Sequence, residues 1–185
     1  MEEKYKEKYR TTPARLTEWD YGANGLYFVT ICTKNRVRYF GEIEKYEIKG
    51  NEIQCIASLQ STVIGQIALD NWLRIPEFSP FVELDDFVIM PDHLHGILFI
   101  NKPNKMNWEP NKFGVQSQNL ASVIRGYKAS VTKEANSKII EFAWQPKYYD
   151  RIIRNEKEHL NIKQYIHDNP EQWLLGNEKY DESIF

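Results

Sequence analysis

At 185 residues, with 42% apolar content and a formal net charge of −2, the chain is long enough for one domain with a buried core and too short for two. No apolar stretch approaches the twenty residues of a membrane span and no signal-peptide pattern is present, which points to a soluble, cytoplasmic protein; Cys32 and Cys55, with no Cys-x-x-Cys pairing, speak against a zinc cluster or a disulfide framework and read as ordinary buried thiols. The charge gives no support to a dedicated duplex binder, but an enzyme holding a short strand in one groove needs only local positive charge.

Residues 1–24 are polar, with Pro13, Gly22 and Asn24 breaking any periodicity. They read as an extended arm whose Lys4, Lys6, Lys8, Arg10 and Arg15 either touch phosphates or are simply solvated. Residues 25–185 form the domain proper. Leu26–Thr33, aromatic and β-branched, predicts a first and central strand. After a turn at Lys34-Asn35-Arg36, segments 39–43, 45–48 and 52–56 read as a peripheral hairpin hinged at Lys49-Gly50-Asn51. From Ser58 to Ile75, helical spacing of Leu59, Val63, Ile64, Ile67, Ala68, Leu69, Trp72 and Leu73 predicts a helix with a core-facing stripe, weakened slightly by Gly65, where it is expected to pack closely on the sheet, and stopped at Pro76.

Phe81–Met90 is the next predicted strand, and it turns at Pro91-Asp92 into His93-Leu94-His95-Gly96-Ile97-Leu98-Phe99-Ile100. Side chains two apart on a strand share a face, so His93 and His95 point together and Leu94 points into the opposite layer. Two imidazoles side by side can grip one metal ion. The bland alternative is two unrelated polar side chains on a half-exposed strand, but the apolar flanks mark a buried one, where unpartnered imidazoles cost a few kcal/mol. Asp92 serves as a turn former after Pro91, the stronger reading, or orients one imidazole.

Residues 101–113 read as a loop. Ser117–Glu134 predicts a second covering helix, with Leu120, Val123, Ile124, Tyr127 and Val131 on one face and Arg125, Lys128 and Lys133 elsewhere, as strand contacts or solubilising charges. Residues 142–154 combine Phe142, Trp144, Tyr148 and Tyr149 with Lys147, Arg151 and Arg154; rings for stacking and cations for a backbone suit single-stranded nucleic acid, though aromatic clusters also build cores. A short strand falls here. Asn155 then caps a helix carrying Glu156 and Glu158 in its first turn, with Leu160, Ile162 and Ile166 on its apolar side and Pro170 ending it. Tyr165 and Asn169, four apart, present a phenol and an amide on one face. Trp173, Leu174 and Leu175 are expected to pack a last short helix onto the core. The order of elements fits an α+β sandwich with a mainly antiparallel sheet covered by helices.

Three stretches in order, Pro91-Asp92-His93-Leu94-His95-Gly96, Trp144-Gln145-Pro146-Lys147-Tyr148-Tyr149-Asp150-Arg151-Ile152-Ile153-Arg154 and Tyr165-Ile166-His167-Asp168-Asn169-Pro170, resemble the signatures of the single-tyrosine HUH transposases. Within the IS200-like superfamily the resemblance is to the REP-associated tyrosine transposases, and it runs from about Gly25 to Trp173. It implies a ferredoxin-like or RRM-like core in which the strand at Leu26–Thr33 lies beside the His-x-His strand. It further implies that Tyr165 attacks a phosphodiester, leaving a 5′-phosphotyrosyl bond and a free 3′-hydroxyl, and that Asn169 joins His93 and His95 in holding a divalent ion, Mg²⁺ or Mn²⁺. Trp144, Gln145, Lys147, Tyr148, Arg151 and Arg154, with Arg125 and Lys128, would then contact single-stranded or hairpin DNA. Tyr148 and Tyr149 are rival nucleophiles, which the resemblance aligns with a substrate-side motif; His159 and His167 are rival ligands, the latter directed to another helix face. Competing readings are a catalytically silent nucleic-acid-binding regulator of the same fold and a small zinc-type hydrolase. A monomer is slightly favoured over a homodimer.

Overall fold

The computed structural model describes residues 4–5, 8–9, 19–49, 53–104 and 117–176, with backbone alone for 4–5, 8–9, 46–49 and 53–56. The rest of the arm, the hairpin hinge, residues 105–116 and the tail beyond 176 lie outside the described residues, as do the side chains of Lys4, Lys8 and Cys55. In the arm, β1 (Lys4–Tyr5) pairs antiparallel with β2 (Lys8–Tyr9).

Four strands make the main sheet: β3 (Gly25–Cys32), β6 (Val82–Met90), β7 (His93–Ile100) and β8 (Tyr149–Ile153), in the antiparallel order β6-β7-β3-β8. The apolar run of β3 is central, as predicted, flanked by the histidine strand on one side and β8 on the other. Helices α1 (Val63–Leu73) and α3 (Leu120–Ser137) connect β3 to β6 and β7 to β8, completing a βαββαβ unit with ferredoxin-like strand order. The short α2 (Ile75–Phe78), with Pro76 in its first turn, follows α1. An antiparallel ribbon, β4 (Gly41–Lys49) and β5 (Ile53–Ser61), is inserted before α1. The nineteen-residue α4 (Glu156–Leu174) lies on the other side of the sheet, against β6 and the ribbon. Among the described residues no helix is long and apolar enough to cross a membrane.

Two cores result from the alternation of the strands. Tyr27, Val29, Ile31, Leu94 and Leu98 face α1 and α3 and pack on Trp72, Leu120, Ile124 and Tyr127. Phe28, Ile97 and Ile153 face α4 and pack on Ile162 and Ile166. Gly96 is required by the first core: a Cβ there would stand 2.4 Å from Cζ2 of the fully buried Trp72. At Gly65 a Cβ would stand 2.1 Å from the carbonyl oxygen of Phe40, so the close packing expected there is against the chain entering the ribbon, not the sheet.

Several boundaries differ from the sequence reading, each for a local reason. Ser58–Ser61 belong to β5, because the Thr62 hydroxyl accepts from the Gly65 amide and starts α1 there; Val63 and Leu73 consequently point to solvent. The second helix starts at Leu120, where Asn119 and Ser122 form a reciprocal cap, and runs on to Ser137. The ribbon is not wholly peripheral, since Phe40 and Ile43 at its base are buried and α4 rests on it. Cys32 is half-buried and accepts a hydrogen bond from Arg36, unlike the inert buried thiol expected.

The largest correction concerns Pro170, which sits inside α4 and does not end it. A proline removes one backbone hydrogen bond, but Trp173 beyond it lies beside His93, with ring centroids 6.2 Å apart, and under the Arg38 guanidinium at 5.3 Å, contacts made only if the helix continues. Among the described residues no separate last helix packs on the core, Leu175 is exposed, and Leu160 faces solvent with 58% of its surface.

Candidate active site

The site is assembled on the α4 face of β7 and β3. Thr30 pairs with His95 and Cys32 with His93 across the ladder, so these four side chains project to one side while Leu94 projects into the opposite core. His93 is 0% and His95 1% exposed. The two Nε2 atoms face each other at 2.9 Å, and the outer nitrogens are each engaged: His93 Nδ1 with Asp92 Oδ1 at 2.6 Å, and His95 Nδ1 with Thr30 Oγ1 at 2.8 Å. Phe28 stacks on the His95 ring at 5.5 Å.

Protonation follows from this environment. Burial holds both imidazoles well below their ordinary value, helped at His93 by the Arg36 charge and at His95 by His93 and Arg36, so both are neutral at pH 7. A carboxylate only accepts, so the proton of His93 sits on Nδ1, pointing at Asp92, and its Nε2 lone pair is directed into the site. A threonine hydroxyl both donates and accepts, so Thr30 satisfies His95 Nδ1 in either tautomer and allows the His95 Nε2 lone pair to join that of His93.

Asp92 therefore fills both roles weighed in the sequence, standing in the turn between β6 and β7 and orienting His93. Asp92 is itself held by Arg36, Nε to Oδ2 3.1 Å, while Arg36 Nη1 donates to Cys32 Sγ at 3.1 Å. Burial raises the Asp92 carboxyl, and Arg36 and Arg38 oppose that rise. Asn35 and Arg36 both occupy the left-handed region, at φ 54° and 56°. Two successive non-glycine residues there cost on the order of 1–2 kcal/mol each, strain of the kind found where a turn aims a side chain.

From the other side α4 brings Tyr165, Asn169 and Trp173, one per turn. The Tyr165 hydroxyl is 3.2 Å from His95 Nε2, its ring lies 5.1 Å from that of His95, and it meets Phe28 edge-on at 6.2 Å. Trp173 lies against His93, so Asn169, on the intervening turn, belongs to the same row. Asn169 is 2% exposed, and its Oδ1 is buried with no hydrogen-bond partner. An orphaned amide oxygen is costly inside a protein, and in the row between Tyr165 and Trp173 it could join the two imidazole nitrogens as a third donor to a divalent cation. Among the described residues no three His, Cys, Asp or Glu side chains gather to hold a metal ion, so the ligand set of a small zinc hydrolase is not assembled among them.

Helix α4 is fixed by polar contacts at its start. Asn155 Oδ1 caps it by accepting from the Glu158 amide; Glu158 accepts from Arg151 Nε at 2.6 Å and from the Arg154 amide. A register shift in β6 between Leu84 and Phe87 turns out Asp85 and Asp86, and Asp85 engages His159 at 2.5 Å and Lys163 at 2.7 Å. His159 is thus a clamp and not a ligand, and His167 is exposed.

The eight residues expected to touch DNA divide between two faces of the sheet. Arg151 and Arg154 lie at the α4 end of β8, Arg151 paired with Glu158. Arg125, Lys128, Trp144, Gln145 and Tyr148 belong to the α3 side, with Lys147 exposed between. Lys128 Nζ donates to the carbonyl oxygens of Gln145, Pro146 and Lys147, and Trp144 Nε1 donates to the Lys128 carbonyl, so this pair ties the 144–147 segment to α3. An open cavity of about 610 Å³ lies there, lined by Lys128, Thr132, Lys133, Asn136, Trp144 and Gln145. Thr30, Phe28 and Arg36 were missed in the sequence because only strand pairing reveals their proximity. Tyr149, weighed there as one ring of an aromatic cluster and as a rival nucleophile, is readable as a neighbour of the site through the alternation of β8 once its register is known.

No family model matches the chain. It is 38% identical over 169 residues to an uncharacterized protein of Haemophilus influenzae, an alignment covering 86% of this chain and 87% of the other. Its fold superposes on a REP-associated tyrosine transposase solved bound to a REP hairpin, with a TM-score of 0.57 and 17% identity over 88% of this chain and 74% of that one. The chain belongs to one family with the Haemophilus protein and has the REP-associated tyrosine transposase fold. The antiparallel sheet covered by helices agrees with the sequence reading, and the ferredoxin-like strand order with β3 beside the histidine strand agrees with what the resemblance implied.

Proposed function

We infer that the chain is a metal-dependent transesterase of single-stranded DNA that nicks and rejoins strands at hairpin or repeat sequences. The observation that carries this reading is the Tyr165 hydroxyl at 3.2 Å from His95 Nε2, which itself faces His93 Nε2 at 2.9 Å. The hairpin bound by the structurally similar transposase supports hairpin DNA as the substrate class.

In the proposed step Tyr165 Oη forms a bond to phosphorus and the bond from phosphorus to the 3′ oxygen breaks. The 3′ oxygen takes up a proton and leaves as a hydroxyl, while the phenol proton passes to water at the half-buried rim of the site. The phosphotyrosine ester keeps the bond energy, so another 3′-hydroxyl can reverse the step and join a new strand. A free phenol, with a pKa of about 10, is only about 0.1% ionised at neutral pH, so attack needs assistance. His93, His95 and Asn169 would hold Mg²⁺ or Mn²⁺, which supplies Lewis-acid neutralisation of a non-bridging phosphate oxygen. Asp92 and Thr30 keep the two imidazoles oriented, and Phe28 and Trp173 exclude water from behind them.

The test is incubation with labelled single strands carrying hairpins from the DNA that flanks the coding sequence, in Mn²⁺. A protein–DNA adduct that survives denaturing electrophoresis and is lost in Tyr165→Phe and in EDTA is the expected result. Binding without any adduct under every divalent ion overturns the reaction and leaves a regulator of the same fold.

A further inference from the structure

The turn that leads into His93 is pinned along its main chain: the Thr33 amide donates to the Asp92 carbonyl and the Phe40 amide to that of Pro91, each at 2.9 Å. Neither bond restrains the Asp92 side chain, whose Oδ1 lies 2.6 Å from His93 Nδ1. Arg36 does. Its Nε stands 3.1 Å from Asp92 Oδ2 and its Nη1 donates to Cys32 Sγ at 3.1 Å, and Cys32 is the ladder partner of His93. One planar guanidinium thus reaches from β3 to the carboxylate, and its N–H groups, fixed in direction, leave that carboxylate little room to rotate. To make this reach, Arg36 adopts φ 56° directly after Asn35 at φ 54°. A loop that served only as a connection would be better built with glycine there.

We propose that Arg36 is a positioning residue for the metal-holding face of His93: by clamping the Asp92 carboxylate it keeps the His93 proton on Nδ1 and the Nε2 lone pair turned toward His95. This rests on the metal-dependent reading for its purpose but not for its measurement. A neutral imidazole carries its proton on either nitrogen, and only the form protonated on Nδ1 offers Nε2 to a cation. A carboxylate held at the outer nitrogen selects that form, and one free to turn away does not. The selection is made by a side chain that never touches His93's inner nitrogen.

The experiment uses the full-length protein with ¹⁵N-labelled histidine at neutral pH, read by long-range ¹H–¹⁵N spectra in EDTA and then by Mn²⁺ titration followed by electron paramagnetic resonance. The wild type is expected to show His93 protonated on Nδ1 and bare on Nε2. Arg36→Gly is expected to mix the two His93 tautomers and to weaken Mn²⁺ binding about tenfold. Its thermal melt should stay close to that of the wild type, because glycine takes this backbone conformation without strain. Should the glycine variant not fold, Arg36→Gln, which keeps the stem and removes the charged fork, carries the same two readouts. A variant that keeps the Nδ1 proton overturns the proposal, as does a wild type with His93 protonated on Nε2. A lowered melt with tautomer and Mn²⁺ affinity per folded molecule both unchanged also overturns it, because Arg36 would then only hold the loop. The two readings fail separately. A Tyr165-dependent adduct with the His93 tautomer unmoved in Arg36→Gly removes this role and keeps the reaction, whereas an Arg36-dependent tautomer in a wild type that holds no Mn²⁺ removes the metal-dependent reading alone.

Discussion

Leu94 and His95 are neighbours in β7, equally buried, and lie on opposite faces of one strand in opposite kinds of surroundings. Leu94 is enclosed by Ile31, Trp72 and the other apolar side chains beneath α1 and α3. His95 is enclosed by His93, Thr30, Tyr165 and Phe28 beneath α4. The first environment is filled with carbon, and its residues are replaceable only at a cost in packing. The second is polar, holds an amide oxygen without a partner, and is fastened at its rim by ion pairs. Burial on the α1/α3 face therefore serves stability, whereas on the α4 face, beside a smaller apolar core of Ile97, Ile153, Ile162 and Ile166, burial also strips water from the imidazole nitrogens and the Asn169 oxygen.

The largest expected break in this contrast comes from Leu94→Ala, which should lower the free energy of unfolding by about 2–5 kcal/mol in urea titration. Gly96→Ala attacks the same face by overpacking against Trp72; about 1–3 kcal/mol is expected, with a lowered melting temperature. On the other face, Asn169→Leu should change stability by no more than about 1 kcal/mol, because it removes an unsatisfied buried oxygen. The same substitution should weaken Mn²⁺ binding, followed by electron paramagnetic resonance, by at least about tenfold. If Asn169→Leu instead unfolds the protein while Mn²⁺ affinity per folded molecule is kept, the division between the faces is wrong. Ile139 tests the periphery: it stands at φ 60° just past α3 with 95% of its surface exposed, so Ile139→Gly should stabilise the fold by about 1 kcal/mol in thermal denaturation.

The smallest effect is one of pH. Burial raises the Asp85 and Glu158 carboxyls, but hydrogen bonds from Lys163 and His159 to the one, and from the Arg154 amide and Arg151 to the other, outweigh it and leave both below the ordinary range. A carboxyl depressed in the folded state stabilises fully above its unfolded pKa of about 4, and that contribution is lost as pH falls through the lower folded value. Amide exchange of α4, corrected for intrinsic rate, should therefore rise relative to that of α3 as the pH drops below about 4, and Asp85→Asn should blunt the change. Equal acid sensitivity of the two helices would contradict the clamp.

Much of the site was readable because short-range periodicity is a local property. The spacing of two placed His93 and His95 together with Leu94 opposite, and the spacing of four placed Tyr165 and Asn169 together; both follow from the geometry of a single element. The Asn155 cap, with Glu158 in the first turn, was readable for the same reason. Pro170 was misread because its local preference to end a helix is outweighed by Trp173 reaching His93, a contact between residues eighty apart. Asp92 was ranked as a turn former because the turn is local, while its partner Arg36 is brought near by the pairing of β3 with β7. Lys128 had a positive charge and a helical position, but only the path of residues 145–147 could show its ammonium engaged by three carbonyls.

Alone, then, the order of residues determined the elements, the facing of the histidine pair and of the Tyr165 row, and the family whose motifs they resemble. The tertiary structure decided that β7 and α4 bring those rows within 3.2 Å of each other, that the expected DNA contacts fall on two faces, and that Tyr149 stands in the row of His95. The reason is physical: backbone geometry repeats every two or 3.6 residues and is written in the chain, whereas register and helix docking are settled by packing between segments distant in sequence.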